Sequence, residues 1–65
     1  MLTHDFAQTI YTKMVAAPAG WLRSAAGRRL QAKALRMVVQ RCGVAEARTL
    51  AQLLTVARTF DAVTA

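Results

Sequence analysis

The chain has 65 residues, 55% of them hydrophobic, and sets nine Lys and Arg against only Asp5, Glu46 and Asp61, for a formal charge of +6 and a pI near 11.3. That length allows one domain, 1–65, whose core can bury only about 60% of the surface its unfolded chain exposes, so a mean hydropathy of +0.27 implies that a partner covers some apolar surface. A single cysteine excludes an internal disulfide and any metal site built on cysteine pairs, and no apolar run approaches the roughly 18 residues that span a bilayer.

The charge excess favours an anionic partner, whether an acidic protein face, nucleic acid or a lipid surface. Seven of the nine cationic residues are Arg, which suits bidentate contacts to phosphate or carboxylate. Asp5 stands where a secretory leader would be basic, the apolar run at 14–19 is short, and Ser24 is the only serine. These features speak against signal and transit peptides, and the expected location is cytoplasmic.

A first helix is expected at about 4–17. Thr3 and Asp5 suit its start, by capping and by opposing the positive end of the helix dipole. Phe6, Ile10, Met14 and Ala17 recur at three- and four-residue spacing, with Ala7 and Tyr11 beside them, and Asp5, Gln8, Thr9 and Thr12 fill the opposite face. So narrow an apolar stripe calls for one neighbour. Pro18 and Gly20 then break the pattern, and Trp21 follows as a plug for the end of a small core, with an exposed partner anchor as the alternative.

The second helix, at about 24–42, is the one the others are expected to pack on. Ser24 is placed as its N-cap and Gly43 as a left-handed C-cap. At about 100° per residue, Arg29, Lys33, Arg36 and Gln40 form one polar stripe spaced 4, 3 and 4, while Leu30, Ala34, Leu35, Met37, Val38, Val39 and Cys42 cover most of the remaining circumference. Such wide apolar coverage marks a middle helix with partners on two flanks. Cys42 reads as a small buried hydrophobe, with an intermolecular disulfide as the alternative.

A third helix is expected at about 45–62, with Leu50, Leu53, Leu54, Val56, Ala57 and Phe60 on one face and Arg48, Gln52, Thr55 and Thr59 on the other, again spaced 4, 3 and 4. The expected fold is therefore all-α, a small three-helix bundle with short loops or a three-helix module that assembles on a partner.

No catalytic constellation is legible, because one Ser, one His, one Cys and three carboxylates are scattered among different segments and no nucleophile has a base and an orienting group at helical spacing. His4 reads as a surface or capping residue. The expectation is a non-enzymatic regulatory or accessory protein with no cofactor, no metal and no small-molecule substrate. It would act by binding another protein or a second copy of itself through apolar area with arginine rim charges. The alternative is a DNA-binding regulator with a helix-turn-helix-like segment at 38–59, in which Gly43 marks the turn and Arg48, Gln52, Thr55 and Thr59 face the groove. Against it, Val39 is bulky where the helices would cross, Thr49 replaces an apolar residue, and Leu50 comes one place late. Membrane-surface contact ranks third, because the second helix has no aromatic residue opposite its charges. Candidate contact residues are Arg29, Lys33, Arg36, Gln40, Arg48, Gln52, Thr55 and Thr59.

Overall fold

The computed structural model describes residues 2–64, in which α1 (Asp5–Val15), α2 (Ala25–Cys42) and α3 (Val44–Thr64) are joined by a turn of 3₁₀ helix at Trp21–Arg23 and by Gly43 alone. The start of α1 meets the start of α3 through Thr3 and Glu46, and its first turn meets the end of α2 through Phe6 and Arg41. The three helices therefore run up, down and up, with α1 and α3 parallel and α2 against both. This is a small three-helix bundle with short connections. Its Cα radius of gyration is 11.1 Å, close to the roughly 11 Å that a closed domain of this length requires.

Ser24 caps α2 as its sequence implies. Its hydroxyl oxygen accepts from the Gly27 N–H at 3.0 Å and donates to the Trp21 carbonyl at 2.6 Å, tying the 3₁₀ turn to the helix. At the other end, the Gly43 N–H reaches the carbonyls of Val38 and Val39, both at 3.1 Å. The expected left-handed cap is corrected here: Gly43 has φ 97° and ψ 168°, a region open essentially to glycine alone. That extended ψ turns the chain at once into α3, so Val44 is already helical. Helix α1 is shorter than expected, ending at Val15, because Pro18 disfavours helical backbone at Ala17.

The core is made of Leu2, Ala7, Met14, Leu22, Ala34, Val38, Ala47, Leu50 and Leu54. Several expectations change. Helix α1 touches both other helices rather than one, because fully buried Ala7 lets its backbone approach closely. On α3, Leu50 and Leu54 are fully buried, but Val56 and Phe60, expected on that inner face, are 54% and 65% exposed. The buried seam is rotated toward Ala47. On α2, only Ala34 and Val38 of the expected apolar set are buried, while Leu30 and Val39 are exposed, so the two flanks are not both closed. Cys42 is half-buried against the core, with its thiol free. Trp21 is also half-buried against the core.

The start of α1 is capped from outside the helix. His4 is the N-cap residue, and its side chain makes no capping bond; nor does Thr3 or Asp5 act as the cap. Instead Glu46, in the first turn of α3, accepts from the backbone N–H groups of Thr3 and His4 at 2.8 and 2.9 Å and from the Thr3 hydroxyl at 3.1 Å. The donated His4 N–H is the main cause of a Glu46 pKa below its ordinary 4.5, with the Thr3 bonds adding to it and burial opposing it. Because the folded-state value is the lower one, this stabilisation is complete above pH 4.5 and is lost as pH falls through the folded value. Urea unfolding followed by circular dichroism from about pH 6 to pH 3 should show a fall in stability that is shallower in Glu46→Gln, which keeps an acceptor but cannot titrate. Parallel curves for the two proteins would sink this assignment.

Candidate functional site

Two of the open faces of the bundle carry cationic side chains beside a sizeable hollow. The first lies where α1 and α2 diverge, an apolar groove of about 470 Å³ with Met14 and Ala34 beneath Phe6, Ile10, Ala17, Trp21, Leu30 and Met37, and with Lys13 and Lys33 as its charged lining. It exists because the two helices present unequal side chains. Ala17 and Ala34 are too short to fill the space that Trp21 and Phe6 hold open at its edges, and Leu30 is left 48% exposed. Two methionines give the surface a soft, adaptable character.

The edge of this groove carries a contact that the sequence reading missed. The Arg41 guanidinium stands over the Phe6 ring, 4.6 Å from its centroid, a cation–π geometry worth roughly 0.5–1 kcal/mol at an exposed site. This pair joins the end of α2 to the start of α1.

The second face is a basic hollow of about 610 Å³ lined by Arg23, Arg28, Arg58, Thr55 and Thr59. One of its arginines is anchored from below. Gln31 on α2 is buried, its amide nitrogen donating to the Leu22 carbonyl at 2.7 Å while its oxygen accepts from Arg58 Nη1 at 2.6 Å. Arg58 Nη2 also donates to Thr55 Oγ1 at 3.1 Å. The Thr55 and Thr59 hydroxyls donate to the carbonyls of Ala51 and Thr55 at 2.9 and 3.1 Å, so they meet the hollow with acceptor oxygens.

The eight candidate contact residues are all exposed, but they do not converge on one site. Lys33 borders the apolar groove, Thr55 and Thr59 border the basic hollow, and Arg29, Arg36, Gln40, Arg48 and Gln52 line neither. Arg23, Arg28 and Arg58 were missed because they come from the 3₁₀ turn, α2 and α3. The signal that could have found them is Gln31, a polar residue interrupting an apolar helix surface, since a buried amide requires partners.

Charge is more one-sided at the surface than the composition implies. Glu46 is committed to the start of α1, and Asp61 Oδ1 accepts from the Gly20 N–H at 2.8 Å. Asp5 is left as the carboxylate that faces solvent in the first turn of α1. Among the described residues, Asp61 Oδ2 has no hydrogen-bond partner, and no three His, Cys, Asp or Glu side chains gather as metal ligands. No helix among the described residues is long and apolar enough to cross a membrane.

Fold and faces together define a small, strongly basic three-helix protein with an open groove between its first two helices. No known protein family, curated protein or solved structure matches the chain.

Proposed function

We propose that this is a non-enzymatic accessory or regulatory protein that binds another protein by receiving one of its amphipathic, acidic helices in the groove between α1 and α2. The observation that carries this reading is the pairing of an almost wholly apolar trough with a lysine at Lys13 and another at Lys33. A helix laid in such a trough buries anchors at i, i+3, i+4 and i+7, while carboxylates on its flanks meet the lysines. Lys33 comes from the polar stripe on α2, Lys13 from α1, and Arg41 over Phe6 adds a third cation at the groove's edge. A second copy of the chain is a poorer occupant, because it would bring its own +6 charge against the same cations.

Trp21, the only tryptophan, lines the groove and reports its occupation. A short helical peptide with leucines at that spacing and glutamates beside them should shift Trp21 emission to the blue in a saturable, salt-sensitive way, whereas the same peptide with lysines for glutamates should not. Lys13→Glu with Lys33→Glu should weaken the acidic peptide by about tenfold or more, and exposed Leu30→Glu should abolish binding without unfolding the protein. Equal responses to the two peptides, or a shift seen only with anionic vesicles, would overturn the proposal.

The DNA-binding alternative retains the exposed row Arg48, Gln52, Thr55 and Thr59. Its motif, however, joins helices by a turn of about three or four residues, where this chain has Gly43 alone. A gel shift on random duplex DNA that weakens steeply with salt, with no response to the acidic peptide, would replace the first reading by this one.

A further inference from the structure

We propose that the basic hollow formed by Arg23, Arg28 and Arg58 is a binding site for a phosphomonoester, the terminal phosphate of a small molecule. It lies apart from the groove on α1 and stands or falls independently of the function proposed above.

Three arginines from three separate elements line one hollow, and among the described residues none of them meets a carboxylate. Like charges gathered without a counter-ion repel one another, and an anion placed among them relieves that repulsion. The gathering is also not an accident of long, loose side chains, because Arg58 is fixed on two sides. Its Nη1 is held by the oxygen of Gln31, which is 3% exposed and is itself anchored on the Leu22 carbonyl, and its Nη2 is held by Thr55.

A buried glutamine with its partners adds little net stability over a matched set of apolar groups. What Gln31 does provide is orientation. A guanidinium has five N–H donors; with one committed to buried Gln31 and one to Thr55 on the lining, the remaining donors of Arg58 are free for a ligand.

The chemistry of the ligand follows from the number of forks. A carboxylate, with one charge and two oxygens, is satisfied by a single guanidinium. A phosphodiester also has one charge and two free oxygens. A phosphomonoester has three acceptor oxygens and about −1.5 to −2 charge at neutral pH, which matches three arginines. The hollow is also larger than a phosphate alone, leaving room for the group that bears it. Thr59 lines that space with a hydroxyl whose proton is already donated to the Thr55 carbonyl, leaving its oxygen as an acceptor suited to hydroxyl or amino donors on the attached group.

Two-dimensional NMR of the whole chain, titrated at constant ionic strength, separates the possibilities. Inorganic phosphate and a nucleoside 5′-monophosphate should each give saturable shifts confined to the Arg23, Arg28 and Arg58 side-chain N–H signals and the amides near Thr55 and Thr59; tighter binding of the nucleotide would assign the attached group a role, and equal binding would assign the site to phosphate alone. The exposed pair Arg23→Gln with Arg28→Gln should remove the saturable shift while the rest of the spectrum is unchanged. Arg58→Lys conserves the charge but not the fork and should weaken binding by about tenfold. Shifts spread along the whole basic surface, or undiminished in Arg58→Lys, would overturn the proposal. So would stronger binding of an oligodeoxynucleotide lacking a terminal phosphate, which would assign the hollow to a nucleic-acid backbone.

Discussion

Leu54→Ala should be among the most damaging single truncations in this protein. Leu54 is fully buried on α3 beside Leu50 and Val38, and emptying such a site costs about 2–5 kcal/mol, the higher end applying where neighbours cannot collapse into the cavity. At about 0.05–0.15 kcal/mol per residue, a chain of this length has roughly 3–10 kcal/mol in all. The variant should therefore melt about 10–30 °C lower, or be unfolded outright, when followed by circular dichroism. Val56→Ala, two residues away and 54% exposed, should change stability by less than about 0.5 kcal/mol. Equal effects at the two positions would show that α3 does not sit in the rotation described here.

Gly27→Ala should destabilise the protein, although glycine to alanine inside a helix ordinarily gains about 1 kcal/mol. The sign reverses because a Cβ at Gly27 would be driven into the Trp21 carbonyl, a backbone group. That carbonyl cannot retreat freely, since it accepts from both the Ser24 amide at 3.0 Å and the Ser24 hydroxyl at 2.6 Å. Overpacking of this kind costs roughly 1–3 kcal/mol, and the displaced 3₁₀ turn should also alter Trp21 fluorescence in the native state. A variant as stable as the parent, with unchanged emission, would rule out the close approach.

The legible part of this fold is its punctuation. Pro18, Ser24 and Gly43 place the three helices within a few residues, because capping and turn formation depend on short-range backbone needs that each residue type meets or fails by itself. The rotation of α3 was only partly legible. Leu50 and Leu54 satisfied the helical period, but so did Val56 and Phe60, and periodicity cannot rank apolar residues on the two edges of a broad face. The least legible features were side-chain bonds across long separations, such as Glu46 reaching back to Thr3 and His4, Arg41 meeting Phe6, and Gln31 holding Arg58. Nothing in local spacing encodes them, and the candidate surfaces depended on them more than on either polar stripe. The groove was anticipated only as an excess of apolar residues without a location.

Gly43 has a mechanical consequence. A connection of several residues would allow α3 to roll about its own axis, whereas a single residue passes the rotational phase of α2 directly into it. Residues added there would loosen that phase, leaving Leu50 and Leu54 free to turn off the core and Arg58 to part from Gln31, its partner 27 positions earlier. The corner thus couples the two helices rigidly. Its length, more than its flexibility, decides that the core and the basic hollow are assembled by the same rotation.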